Sequence, residues 1–133
     1  QQSSYDEMVT VDNSLLPLDW YIDALQAVRS ISGEKTAAFV FSDGTEEELA
    51  PLLSLPAVRR IDYGSGLGDM LGLSRSRLLI ASGSTFSMWG SYLGQVPTIW
   101  HPKKLLQNVL LEHPEREIEW APGDTLPAWI REL

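Results

Sequence analysis

The residues whose types and spacing can do chemistry fall in two short stretches. Residues 78–89 read LLIASGSTFSMW: four apolar residues, then Ser82-Gly83-Ser84, then Thr85 and Phe86 opening a helix-spaced segment. That is a strand–turn–helix junction. Gly83 allows a close approach of backbone to ligand, and Ser84 and Thr85 set hydroxyls beside the unbonded N–H groups of a first helical turn. Those groups and the helix dipole make a pocket for a phosphate or diphosphate. The same residues also have a plain use, with Ser84 as an N-cap worth about 1 kcal/mol. The second stretch, Gly64-Ser65-Gly66-Leu67-Gly68-Asp69, mimics a dinucleotide fingerprint and fails it. Its third glycine comes one residue early, and no acidic residue ends a strand about twenty residues on. Asp69 is more informative, in the first turn of a predicted helix. There a carboxylate either accepts two N–H bonds from a base such as guanine or simply complements the helix dipole. Asp43 closes an apolar strand at the same sheet edge.

Other chemistries lack their parts. A receiver phosphorylated on Asp43 needs an acidic cluster for Mg²⁺ and a lysine at a later strand end. The later strands end in Ala81-Ser82-Gly83 and His101-Pro102, leaving only Lys103 to serve. A serine-hydrolase elbow at Ser84 fails because positions 82 and 86 are Ser and Phe, and no acid lies between Ser84 and His101. His101 and His113 with Glu112, Glu115 and Glu117 read as a solvated charged segment, not a metal site. The stripe Phe86, Trp89, Tyr92 reads as core packing.

The positioning elements follow from periodicity. Residues 1–14 lack a sustained period and read as an N-terminal arm with a short strand near Met8–Val11; residues 15–133 read as one domain. Pro17 and Asp19 suit a first helical turn, Trp20, Ala24, Val28 and Ile31 recur at helical spacing, and Gly33 is placed to stop that helix in the left-handed conformation. Ala37–Phe41 is an unbroken apolar run, a strand covered on both faces. Thr45 and Glu48 have capping-box spacing, which predicts a helix over 45–55 that Pro51 should kink or split. Strands are predicted at 58–63, 78–81, 96–100 and 117–120, with helices at 67–76, from 84 to Gly94, at 104–111 and at 127–133. Alternating strands and helices predict a three-layer α/β sandwich around a mostly parallel sheet, with ligands at the strands' carboxyl ends.

Composition bounds the function. The 133 residues form one domain's length, with 44% hydrophobic and 21% charged residues. Ten Lys+Arg against eighteen Asp+Glu leave a net charge of −8, which argues against a nucleic-acid partner while leaving room for one small anion. Absence of cysteine excludes disulfides, thiolate metal sites and Cys nucleophiles. No apolar run reaches the ~18 residues of a membrane span, and no signal peptide opens the chain, which together point to the cytoplasm. A chain beginning at Gln1, with Met8 as its first methionine, reads as a piece of a longer protein or as carrying tag residues.

Taken together, PLDWYIDAL, FVFSDG, GDMLGLSRSRLLIASGSTFSMWGSYLG and VPTIWHP resemble the C-terminal, sugar-nucleotide-binding half of fucosyltransferase-type glycosyltransferases, including the α-1,2-fucosyltransferases. In that family a strand ending in Ser-Asp is followed by Asp-x-x-x-Leu-Ser, a strand, and Ser-Thr-Phe-Ser opening a helix; the match covers roughly residues 17–102. The resemblance implies a Rossmann-like sheet, one lobe of a GT-B-type architecture. It implies that Ser82, Gly83, Ser84, Thr85 and Phe86 line the diphosphate site of a GDP-fucose-like substrate, that Asp69 reads the guanine edge, and that Asp43 is the family's strand-end aspartate. Neither a cofactor nor a metal is expected, because the family stabilises its leaving diphosphate with positive charge and oriented dipoles. The family's basic His-x-Arg motif has no counterpart in these residues. Arg29, Arg59 and Arg60 sit on helix or strand faces, and lysine is a poor substitute for arginine's bidentate hold on phosphate. The expectation is a nucleotide-sugar-binding lobe that does not transfer sugar alone, with a missing N-terminal lobe or a homodimer covering apolar surface around Trp100 or Trp129. The alternative is a non-catalytic binding or interaction domain that keeps the scaffold without transfer activity.

Overall fold

The computed structural model describes residues 9–13, 17–33, 36–42, 44–61, 68, 71, 73–81, 85–102 and 109–133. In chain order its elements are β1 (Val9–Asn13), α1 (Leu18–Ser32), β2 (Ala38–Ser42), α2 (Glu46–Leu53), β3 (Val58–Arg60), β4 (Leu78–Ala81), α3 (Thr85–Gly94), β5 (Thr98–Trp100) and β6 (Glu117–Glu119). The described strands form a six-stranded sheet in the order β3-β2-β1-β4-β5-β6, with every pair parallel. This is a Rossmann-like α/β fold.

Parallel strands need covered faces, and the side chains alternate to supply them. One core joins Val9, Val11, Ala38, Val40, Leu78, Ile80 and Ile99 to Trp20, Ala24, Leu25 and Val28 of α1 and Leu52 of α2. The other joins Phe41, Leu79, Ala81 and Trp100 to Leu73 and Val96, with Met88 of α3 packed against it. On that second face Ser91 of α3 bonds Thr98 at 2.9 Å, and Thr10 bonds Ser76 at 2.5 Å.

The strand expected near Met8–Val11 is not part of an arm. Val9–Asn13 pairs with β2 on one side and β4 on the other, at the centre of the sheet. The pattern hides its central place because five residues ending in Asp12 and Asn13 carry too few apolar side chains to mark a strand covered on both faces. Residues 9–13 therefore belong with the domain assigned to 15–133.

Local signals elsewhere act largely as their chemistry dictates. α2 opens on a complete capping box, Thr45 Oγ1 accepting from Glu48 N at 3.1 Å and Glu48 Oε1 accepting from Thr45 N at 2.8 Å. Pro51 does not split this helix. It stands two residues before the end, and the chain runs helical through it to Leu53. Gly33 does stop α1 at positive φ (116°), but its ψ of 146° is extended rather than left-handed helical. α3 ends as Gln95 takes φ 48°. Gly94 is needed for another reason: a methyl group there would lie 1.8 Å from the Ser74 carbonyl oxygen.

Four expectations give way. Residues 127–133 form a 3₁₀ turn, Ala128–Glu132, not an α-helix. Of the helix expected over 104–111, Val109, Leu110 and Leu111 are non-helical, and 104–108 lie outside the described residues. Trp100 is fully buried and offers no surface, while Trp129 is partly buried against the first core. Trp89 and Tyr92 of α3 are exposed, not core.

Candidate functional site: the carboxyl edge at the β1/β4 switch

From β1 the chain winds outward to β2 and β3, then crosses back to β4 on β1's other side and continues to β5 and β6. The crevice where the order reverses, at the carboxyl ends of β1 and β4, is where open parallel sheets bind ligands. Its floor is set by Asn13 ending β1 and Ala81 ending β4. Two helices start above it, α1 after β1 and α3 after β4. α1 begins behind Pro17 with no side-chain cap, so its first-turn N–H groups have no carboxylate or hydroxyl seated on them from that position.

The sequence-assigned residues sort by what is described around them. Thr85 and Phe86 form the first turn of α3, directly after the carboxyl end of β4. β2 ends at Ser42 on the same edge, and Asp43 is the next residue in the chain. Gly68, Leu71 and Leu73 are helical, as expected for the 67–76 helix, but 74–76 are not. Asp43, Asp69, Ser82, Gly83 and Ser84 themselves lie outside the described residues, as do the side chains of Thr85 and Phe86.

Two residues at this edge were read otherwise from the sequence, His101 only as a triad member or metal ligand that fails and Trp20 only as a helix core residue. His101 continues β5, its N–H donating to the Ala81 carbonyl at 3.1 Å, so it stands beside the strand that leads into Ser82. Its ring meets the Trp20 ring edge-on at 5.0 Å between centroids, and Nδ1 lies 3.1 Å from the Pro102 carbonyl oxygen. Trp20 is fixed in turn by its Nε1–H, which donates to the Trp120 carbonyl at 2.9 Å. The available signal was position: His101 is the first residue past a buried strand.

Of the arginines weighed from the sequence, Arg29 lies at the opposite edge and Arg60 at the carboxyl edge, where it bonds its own neighbours. Arg29, in the last turn of α1, donates to the Thr36 carbonyl at 2.7 Å at the amino edge of the sheet, and burial pushes its guanidinium below its usual pKa. Its Nε is buried without a hydrogen-bond partner. Arg60, ending β3, reaches the Ser42 carbonyl at 2.7 Å and lies 3.9 Å from Glu46. Arg59 is exposed on β3, the sheet's outer strand.

The acidic stretch after His101 also differs from the solvated segment expected. Glu117 is buried, and its carboxylate accepts from Val109 N at 2.8 Å, Leu110 N at 2.7 Å and Trp100 Nε1 at 3.2 Å. His113 and Glu115 form an exposed pair at 3.4 Å. Among the described residues no three His, Asp or Glu side chains group as metal ligands, and no helix is long and apolar enough to cross a membrane.

No protein-family model matches the chain, and no curated protein matches it. One solved structure that is similar is described as a crystal structure analysis of the glycotransferase of kitacinnamycin. It aligns over 90% of this chain with a TM-score of 0.48 and 14% identity. The chain spans 32% of that protein, whose activity is not carried over to these residues.

Proposed function

We propose that this chain is the nucleotide-sugar-binding lobe of a glycosyltransferase of the fucosyltransferase type. The observation that carries the reading is the meeting of β1 and β4 at the switch point, with α3 beginning at Thr85, four residues on from the end of β4 in the chain. In this reading the N–H groups of α3's first turn, with Ser82, Gly83, Ser84, Thr85 and Phe86, hold the diphosphate. Asp69 accepts from the guanine edge, and Asp43 lines the neighbouring strand end. Oriented N–H dipoles suit this work because they stabilise charge on the departing phosphate without reorganising.

Transfer needs a cation on the leaving diphosphate as well. Arg29 sits at the opposite edge and Arg60 is committed to Ser42 and Glu46, which supports a lobe that binds but does not transfer by itself. Calorimetric titration of the 133-residue chain with GDP and GDP-fucose tests the reading. Expected is saturable binding of both, weakened at least about tenfold by Ser84→Ala and by Asp69→Asn, the loss of one charge-assisted contact. Absence of binding at millimolar nucleotide removes the reading and favours the non-catalytic interaction domain. The bare aromatic face of α3 is the observation on that side.

A further inference from the structure

α3 turns Gly90 and Ser91 inward and leaves Trp89, Tyr92 and Leu93 outward at 50%, 41% and 52% exposure. Spacing of three and four residues puts the three on one helix face, and the Trp89 and Tyr92 rings meet at 6.0 Å. The face extends past the helix end. The Ser74 carbonyl abuts Gly94, and Ser74 Oγ donates to the carbonyl of Leu71, which is 49% exposed. Gln95 ties the other flank, donating to the Tyr92 carbonyl at 2.7 Å while its Oε1 accepts from Leu111 N at 3.1 Å, and Leu111 is 70% exposed.

We propose that this face, Trp89, Tyr92 and Leu93 with Leu71 and Leu111, joins two copies of the chain in a two-fold dimer. The five side chains expose roughly 500 Å² of mostly apolar surface, near the top of what a monomer's largest patch shows and most of the ~800 Å² each partner gives to a standard interface. Charge selects the occupant. α3 carries no charged residue, in a chain of net charge −8. Two such chains repel on balance, and contact through an uncharged helix brings few like charges together. An isologous contact asks only that the patch match itself, and an uncharged apolar stripe does so without a complementary charge pattern. The helix itself offers a basic partner no carboxylate, and Glu112, held by the same Gln95, lies at the rim beside Leu111. A flat ligand would find no common platform, because the two rings stand at 84° to each other.

Sedimentation of the 133-residue chain from roughly 1 to 300 µM should show the mass rising from 14.8 kDa toward twice that value. Combining Trp89→Glu with Leu93→Glu should raise the dissociation constant at least about thirty-fold while the far-UV circular dichroism is kept, as expected when two central anchors are lost. An independent measurement uses the absence of native cysteine. Leu93→Cys should cross-link to itself on mild oxidation, and Ala50→Cys, exposed on α2, should not. Monomer mass across the range, association untouched by the double substitution, or equal cross-linking at 93 and 50 overturns the proposal.

Discussion

Glu117 shows how one buried carboxylate can fix a stretch of chain that has no secondary structure of its own. Its two oxygens take the N–H groups of Val109 and Leu110 and the indole of Trp100, so 109–110 is pinned against the end of β5. Charge-assisted bonds of this kind contribute about 1.5–3 kcal/mol each, and donors left unpaired in the interior cost about 1–3 kcal/mol. Glu117→Ala is expected to lower stability by about 3 kcal/mol in urea denaturation, and Glu117→Gln, which keeps one carbonyl acceptor, by roughly half of that. Equal effects from the two would mean that packing, not the hydrogen bonds, is what the residue provides. Nothing near Glu117 in the chain announces this role. Its donors lie seven to seventeen residues away, while its neighbours Glu115 and Glu119 resemble it in type and not in environment.

At the scale of the element, α2 is set by contacts made within three residues, which is why its start was legible in the chain. The hydrogen bonds of the capping box hold the exposed Glu48 carboxyl below its ordinary pKa, with the Thr45 backbone N–H the larger cause and the Thr45 side chain the next. A depressed carboxylate contributes stability that is full above its unfolded pKa and is lost as pH falls through the lower folded value. Loss of the Thr45 hydroxyl as N-cap in Thr45→Ala is expected to cost about 1 kcal/mol. The difference between wild type and Glu48→Gln should shrink on acidification below pH ~4. A difference that stays constant to low pH, followed by thermal unfolding, would show that the charge of Glu48 plays no part. α3 behaves differently. Its spacing shows that Trp89, Tyr92 and Leu93 share a face, but the same spacing serves a buried face or a bare one.

For the whole molecule, the decisive strand is β1. It is hydrogen-bonded along both sides, and without it β2 and β4 have no partner in common. A chain lacking residues 1–14 is expected to lose cooperative unfolding and most of its native circular dichroism, since the sheet parts into β3-β2 and β4-β5-β6. Full retention of a two-state transition would instead mark 9–13 as dispensable. The long-range bond from Trp20 to the Trp120 carbonyl, across 100 residues, closes the C-terminal segment over α1 by the same logic of distant pairing.

What the chain determined by itself is what short-range forces decide. The apolar runs at 38–41 and 78–81 and the strand signal ending at Trp100 became buried strands, Thr45 and Glu48 capped α2, and Gly33 stopped α1. Each depends on a residue's own solvation or on a partner within four positions. Tertiary structure decided the rest: that Val9–Asn13 takes the centre of the sheet, that the reversal falls between β1 and β4, that His101 stands beside Ala81, and that Trp89 faces solvent while Trp100 does not. These depend on which surfaces meet after the chain has closed, and burial between distant segments leaves no local pattern to read.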